Sequence, residues 1–254
     1  MPPANSGVPR RAVVGLVLIG CLAATMALIL ARSVYAGGKL AATAIEPAMT
    51  GATRGWPGAG PRILVVGDSR VADWPIARSP RGAVGGLAKS GVGGETSARL
   101  LARWRTMPRP PEGTCVLILT GINDLVAAEL NPGRSAAIEA ALIRNVSAIA
   151  ADVRAEGMEP IIGAIGQAGP IDGLRQLLGW SDDLRARIDR SNRKLREAAL
   201  SAGFGWFDAN RALSVGADRQ MPARFSTDTL HWNAAAYQAL ENALTCDSAG
   251  RRPR

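Results

Sequence analysis

The sequence predicts an α/β domain with a parallel sheet that is covered by helices on both faces, behind one N-terminal membrane helix. Along residues 62–246, short continuous apolar runs alternate with longer segments of helical periodicity, which is typical of strands buried on both faces. Residues 12–31 contain no charged residue over a length that matches a bilayer-spanning helix. With 47% hydrophobic and 20% charged residues, the composition is that of a globular protein.

The N-terminal apolar segment follows a basic pair, Arg10 and Arg11. Because positive charge is retained on the cytoplasmic side, we predict a cytoplasmic N-terminus at 1–11, a transmembrane or signal-anchor helix at 12–32, and an exported catalytic domain. The expected location is therefore a single-pass membrane protein with a periplasmic or extracellular domain.

Two other outcomes for this segment stay open. Cys21 follows Leu-Ile-Gly, as in a lipoprotein cleavage box, and Val34-Tyr35-Ala36 has the small residues of an ordinary signal cleavage site. Cleavage at either place would leave the protein lipid-anchored or secreted.

The remaining terminal segments carry no motif. Residues 33–61 are rich in Gly, Ala, Thr and Pro and predict a linker, 62–246 the folded domain, and 247–254 a basic tail.

The net charge is +9, from 30 Lys and Arg against 21 Asp and Glu, but the basic residues are scattered and do not alternate with aromatics, so we expect no nucleic-acid partner. Three cysteines without a CxxC motif and one histidine predict neither a disulfide framework nor a metal site.

The elements of the domain follow from local patterns. Apolar β-branched runs predict strands at 62–66, 115–121, 160–165 and 205–209, and a glycine-containing run predicts a weaker strand at 83–90. Helical spacing and capping residues predict helices that begin at Thr96, Ser135, Ser181 and Asn233, the first three ending at Pro108, Gly157 and Gly203.

Polar residues follow three of these strands. Gly67-Asp68-Ser69 comes after the first, Gly121-Ile122-Asn123-Asp124 after the second, and Gly166-Gln167 after the third. In parallel sheets the ligand site lies beyond the carboxyl ends of the strands, so these residues are expected at one edge. The alternative for each is structural, with the serine as a helix cap and the asparagine as a turn residue.

His231 is the only histidine in the chain, and Asp228 precedes it by three residues. A carboxylate at this spacing can hydrogen-bond Nδ1 and leave Nε2 free to face a serine, as serine hydrolysis requires. Taken alone, a single histidine is more often a structural residue.

Four blocks in order resemble the SGNH (GDSL) hydrolase family of esterases, lipases and carbohydrate deacetylases. They are Gly67-Asp68-Ser69, Gly91-Val92-Gly93-Gly94-Glu95-Thr96, Gly121-Ile122-Asn123-Asp124 and Asp228-Thr229-Leu230-His231. The resemblance covers about residues 62–245. It implies a three-layer α/β/α, flavodoxin-like fold with a five-stranded parallel sheet, and no cofactor.

The resemblance also implies residue roles. Ser69 is the expected nucleophile, His231 the base and Asp228 the carboxylate that orients it. The oxyanion hole is expected from the backbone N–H groups of Ser69 and Gly94 and from the side-chain amide of Asn123. Glycine allows close backbone approach, and the amide donates hydrogen bonds without charge.

Two residues that are unusual for the family are candidates for contact with the substrate. Arg70 follows the nucleophile and either pairs with Asp68 or Asp73 or meets an anionic substrate. Trp232 stands where the family often has proline, and either stacks on a sugar ring or packs under the last helix. Asp68 itself is expected to have a structural role through backbone hydrogen bonds.

The segment 166–180 is expected to form a variable wall of the site. Its leucines, Leu174, Leu177 and Leu178, either bind an acyl chain or cover the core.

These observations predict a serine esterase that hydrolyses small acyl esters, most plausibly O-acetyl groups on an envelope glycan. The expected partners are this ester or acetylated glycan and, through the N-terminal helix, a membrane. Two alternatives use the same fold: an acetyltransferase that acts on polysaccharide with the same triad, and a non-catalytic glycan-binding or assembly protein.

Overall fold

The computed structural model describes residues 10–43, 62–76 and 86–246. The first nine residues, most of the predicted linker, the start of the weak strand and the basic tail at 247–254 lie outside the described residues.

Five parallel strands form one sheet in the order β2-β1-β3-β4-β5. The strands are β1 Ile63–Gly67, β2 Leu87–Gly91, β3 Cys115–Leu119, β4 Glu159–Gly163 and β5 Gly205–Phe207. This order is the flavodoxin-like one, with its switch point at β1, so the predicted fold class is confirmed. The weakly predicted strand is β2, an edge strand whose partly exposed residues explain its weak apolar signal.

Nine α-helices accompany the sheet in the described residues. They are α1 Arg10–Ala41, α2 Ser69–Ala72, α3 Ser97–Thr106, α4 Ile122–Leu130, α5 Ser135–Ala155, α6 Gly173–Leu177, α7 Asp183–Ser201, α8 Ala209–Ala212 and α9 Ala234–Ala243.

Each face of the sheet buries its own apolar cluster. On one face α3, α5 and α7 contribute buried residues such as Leu100, Trp104, Leu142, Ile149 and Leu195. On the other face α2 contributes Val71, the turn after α2 contributes Trp74, and α9 contributes Tyr237 and Leu240. The sheet is thus the middle of three layers.

Helix α1 is longer than expected. It continues to Ala41, so residues 33–41 of the predicted linker are helical, because their side chains pack against the domain rather than extending into solvent. Within α1, Val17–Ala41 is long and apolar enough to cross a membrane, a property of membrane anchors and of signal sequences alike.

The predicted caps have mixed outcomes. Asn233 caps α9 as expected, since its side chain accepts a hydrogen bond from the Ala236 N–H. Thr96 precedes α3 but makes no cap bond, because its hydroxyl donates to the carbonyl of Ala42. Ser135 is the first residue of α5, and the N-terminal boundary residue of α7 is Asp182 rather than Ser181.

Cys115 and Cys246 form a disulfide with a Cα–Cα distance of 5.9 Å. This corrects the expectation that the cysteines form no bridge. Because 131 residues separate the two cysteines, no local spacing signals the pair. The bridge joins the first residue of β3 to the chain after α9.

Candidate active site

Ser69 lies at the carboxyl edge of the sheet, at the switch point between β2 and β3. Strand β1 ends at Gly67 and α2 begins at Ser69, with Asp68 between them as the N-cap. The Asp68 carboxylate accepts a hydrogen bond from the Arg70 N–H at 3.0 Å. The helix cap is therefore Asp68, and the Ser69 side chain is not needed for capping.

The side chains of Ser69, His231 and Asp228 form a continuous hydrogen-bonded chain. His231 Nε2 is 3.1 Å from Ser69 Oγ, and Nδ1 is 2.9 Å from Asp228 Oδ2. With Nδ1–H donating to the carboxylate, the lone pair of Nε2 accepts the serine hydroxyl. This arrangement can move a proton from the serine to the imidazole.

The Asp228 carboxylate is held in its charged form. Its Oδ1 accepts backbone hydrogen bonds from Leu230 at 2.7 Å and from His231 at 2.8 Å. Burial raises the pKa of Asp228, but the hydrogen bonds from His231 and Leu230 outweigh it and lower the pKa to about 2. The group is therefore ionised at any pH at which an imidazole base is neutral.

The loop that carries His231 is braced by hydrogen bonds at both ends. The Thr227 N–H donates to the His231 carbonyl at 2.9 Å, which closes the loop on itself. The Thr229 hydroxyl donates to the Pro170 carbonyl at 2.7 Å, and the Gly169 N–H donates to the Thr229 carbonyl at 2.8 Å. The imidazole is thus fixed to the segment after β4 as well as to its own loop.

Arg70 is buried, with 2% of its surface exposed, and connects α2 to the loop that carries His231 and to the segment after β4. Its guanidinium donates to the carbonyls of Leu230 at 2.8 Å, Gly166 at 2.8 Å and Gln167 at 3.3 Å. It also lies over the ring of Trp232, 4.8 Å from the centroid. Burial lowers the pKa of Arg70, and the nearby Asp68 carboxylate opposes that shift.

Both Arg70 and Trp232, the two candidate substrate contacts, are occupied by contacts within the domain. Trp232 is 3% exposed and packs edge-on against Tyr237 in the cluster under α9. These contacts are of the structural kind that the sequence analysis gave beside substrate contact.

Gly94 and Asn123 lie at neighbouring loops on the same edge. Gly94 is exposed and has φ +71°, a left-handed conformation that favours glycine. Asn123 is buried in the first turn of α4, and its Nδ2 donates to the carbonyl of Glu95 at 3.0 Å. That bond uses one of the two N–H donors of the amide.

Glu95 and Arg103 form a support that the sequence did not predict. Arg103 donates to the Glu95 carboxylate from Nε at 2.7 Å and from Nη2 at 2.6 Å, and to Ser90 Oγ at 2.6 Å. The pair connects α3 to the loop that contains Gly94. The only local sign of this pair in the sequence is a glutamate directly after two glycines.

Asp124 is likewise buried. Its carboxylate accepts hydrogen bonds from the N–H of Ser97 at 2.9 Å and from its hydroxyl at 2.6 Å, so it caps the neighbouring helix α3. Burial raises the pKa of Asp124 to about 6, although the bonds from Ser97 act in the opposite direction.

The wall segment 166–180 includes α6. The Arg175 side chain in α6 reaches the Asp228 carboxylate, with Nη2 3.7 Å from Asp228 Oδ2. Leu178 packs on the core, whereas Leu174 and Leu177 are exposed. In the described residues, no group of three or more His, Cys, Asp or Glu side chains is arranged to hold a metal ion.

The family model of the GDSL-like lipase/acylhydrolase family matches residues 52–239, more than half of the chain. No curated protein matches the sequence.

Solved structures with the same fold have low sequence identity. A GDSL-like lipase from Bacteroides thetaiotaomicron is 19% identical, with a TM-score of 0.58 over 71% of this chain and 84% of that one. A structure described as a putative platelet activating factor from Streptococcus pneumonia is 18% identical, with a TM-score of 0.61 over 89% and 97%. An acetyl xylan esterase from Geobacillus stearothermophilus is 20% identical, with a TM-score of 0.52 over 76% and 96%.

Proposed function

The chain belongs to the GDSL-like lipase/acylhydrolase family and is an ester hydrolase, and from this premise we propose that it cleaves small acyl esters through Ser69, His231 and Asp228. The observation that carries the proposal is the continuous Asp228–His231–Ser69 hydrogen-bond chain, with distances of 2.9 and 3.1 Å.

The reaction begins at the serine hydroxyl. His231 Nε2 removes the proton as Ser69 Oγ attacks the ester carbonyl, and the resulting imidazolium is stabilised by the charged Asp228. The imidazolium then protonates the departing alcohol, which leaves an acyl-serine. A water molecule, deprotonated by the same imidazole, attacks the acyl group, and the serine recovers its proton while the acid departs.

The oxyanion is stabilised by three donors in this proposal. They are the backbone N–H of Ser69 at the start of α2, the backbone N–H of Gly94 and the second N–H of the Asn123 amide. Support for Asn123 comes from its bond to the Glu95 carbonyl, which holds the amide beside Gly94. Donors fixed before the reaction stabilise developing charge without reorganisation. One such donor lowers the activation free energy by about 3 kcal/mol.

The proposed substrate is an O-acetyl ester, on an envelope glycan. An acetyl xylan esterase shares the fold, and the small acyl group suits a half-exposed serine at the sheet edge. The glycan follows from the proposed location, in which α1 is an uncleaved single-pass anchor with the hydrolase domain outside the cytoplasm. The Cys115–Cys246 disulfide supports this location, because such bonds persist in oxidising compartments.

The proposal is tested with p-nitrophenyl acetate and a fluorophosphonate probe. Ser69→Ala is expected to abolish both turnover and labelling, and His231→Ala to abolish turnover, with unchanged circular dichroism spectra in both. The matched control is Ser201→Ala, which changes an exposed serine at the end of α7. Undiminished turnover in Ser69→Ala would sink the mechanism. Transfer of the acetyl group to an added glycan, in place of release as acetate, would reassign the protein as an acetyltransferase.

A further inference from the structure

Helix α1 changes character along its length. Its side chains are exposed all round from Val17 to Val34, and the first half-buried positions after them are Tyr35, Ala36, Lys39 and Leu40. These four share one helical face because they recur at i, i+1, i+4 and i+5. Among the described residues, the first part therefore has little protein around it, and the second part packs on the domain.

The packed part is attached by specific contacts. The Ala42 carbonyl accepts a hydrogen bond from Thr96 Oγ1 at 2.6 Å, and the Ala36 carbonyl accepts one from Asn131 Nδ2 at 3.2 Å. Leu40 packs against a small buried cluster formed by Ala127, Ala128 and Ile138. In the described residues, the end of α1 contacts the hydrolase domain directly, so the domain lies next to the exposed apolar part of that helix.

Helix α6 lies beside this junction. The Arg32 guanidinium, one turn before the packed part of α1, lies against Gly179, where an added Cβ would be 2.9 Å from Nη2. Gly179 follows α6 by two residues. The exposed apolar side chains of α6 are Leu174, 68% exposed, and Leu177, 55% exposed, and their spacing of three residues puts them on one face.

We propose that this α6 face, Leu174 and Leu177, contacts the surface of the same bilayer that α1 spans, and that the enzyme acts on esters carried by molecules at that surface. The bilayer is favoured as the occupant because the face is continuous with the exposed apolar part of α1 through Arg32 and Gly179. Two exposed leucines beside arginines are the composition of an interfacial contact with lipid. This inference rests on the proposed membrane anchoring and ester hydrolysis.

The catalytic consequence follows from Arg175, one of the two residues between the leucines. Arg175 reaches from α6 to the Asp228 carboxylate, with a distance of 3.7 Å. If a bilayer lies against the leucine face, only the short helix α6 separates it from the candidate triad. Substrates presented at the membrane surface would reach Ser69 without leaving the interface.

The contact is tested on the full chain reconstituted in phospholipid nanodiscs. In a Cys21→Ala background, a polarity-sensitive fluorophore is attached at Leu174→Cys, Leu177→Cys or Leu200→Cys. Leu200 is the matched control, since it is 59% exposed but lies near the end of α7, at the opposite edge of the sheet. Lipids with a nitroxide just below the head group are expected to quench the first two labels several-fold more than the third.

Equal quenching at Leu177 and Leu200 would overturn the contact. Protection of the Leu177 label that persists in detergent and grows with protein concentration would assign the face to a second copy of the chain, and would also overturn it.

A second measurement compares two esters. Leu174→Asp with Leu177→Asp is expected to lower hydrolysis of a vesicle-borne lipid acetate about tenfold relative to p-nitrophenyl acetate, because two leucines lose their apolar contact. Leu200→Asp is expected to leave this ratio unchanged. An unchanged ratio in the double variant contradicts the inference. If the unsubstituted chain hydrolyses neither ester, the proposed function fails, and the quenching result alone decides the membrane contact.

Discussion

Arg70 connects the start of α2, which carries the candidate nucleophile, to the histidine loop and to the segment after β4. Its neighbour Ser69 must stay within hydrogen-bond distance of His231, although the two lie on different loops. The guanidinium supplies the physical link, because its planar fork donates to carbonyls of the histidine loop and of the segment after β4 at once. The residue directly after Ser69 is thus hydrogen-bonded to the loop that carries His231.

Arg70→Lys is expected to destabilise the protein by about 2–3 kcal/mol, because an ammonium group cannot reach all three buried carbonyls and leaves some without a donor. Urea unfolding measures this loss. Labelling of Ser69 by a fluorophosphonate should slow as well. The control is Arg105→Lys, at an exposed arginine of α3 that pairs with Asp152. Equal stability of the two variants would contradict the bridging role.

Among the elements, α3 and α4 are joined by one buried carboxylate. Asp124 lies in the first turn of α4 but accepts hydrogen bonds from Ser97 at the start of α3. The same turn of α4 holds Asn123 against the Glu95 carbonyl. The position of the candidate oxyanion donor therefore depends on how these two helix starts are fixed together.

The raised pKa of Asp124 makes this junction pH-dependent. Because the folded-state pKa of about 6 lies above the ordinary aspartate value of 3.8, the contribution of the group to stability is full below about pH 4 and is lost as the pH rises through 6. A shift of about two units corresponds to about 3 kcal/mol.

Asp124→Asn is expected to flatten the fall in unfolding free energy between pH 4 and 6, because the amide keeps an acceptor oxygen for Ser97 and does not titrate. Part of the slope should remain, since burial also raises the pKa of Asp68 to about 6. Denaturant unfolding at several pH values measures the slope. Asp183→Asn, at an exposed position of α7, is the control, and an equal slope in both variants would refute the expectation.

At the scale of the whole molecule, two long-range connections attach the end of α1 and the segment after α9 to the rest of the domain. The disulfide ties the chain after α9 to β3, and the end of α1 lies against Thr96 and Asn131. Both connections supplement the packing of the two apolar clusters on the faces of the sheet. They also place the N-terminal helix and the C-terminal segment on the same folded unit.

Reduction of the disulfide is expected to lower the free energy of unfolding by about 2–4 kcal/mol, because the cross-link restricts a long loop in the unfolded chain. Thermal unfolding with and without dithiothreitol measures the change. A Cys115→Ala/Cys246→Ala variant should show no response to the reductant, which separates the bridge from other effects. A native chain whose midpoint is also insensitive would contradict a stabilising bridge.

Local sequence determined much of the architecture. Continuous apolar runs specify strands that are buried on both faces, and Asn233 caps its helix through a bond to a residue three positions away. Gly67-Asp68-Ser69, the asparagine block and Gly166-Gln167 each follow a strand and predicted one edge of the sheet, because parallel strands end together there. The structure brings Ser69, His231 and Asp228 within hydrogen-bond distance at this edge.

Only the tertiary structure decided the contacts between distant residues. Arg70 and Leu230 are 160 positions apart, and Cys115 and Cys246 are 131 apart, so neither pair leaves a periodic or spacing signal in the chain. The same is true of Ala42 and Thr96, which turned a predicted linker into a packed helix end. Hydrophobic periodicity reports which face of an element is buried, but it does not report which partner covers that face.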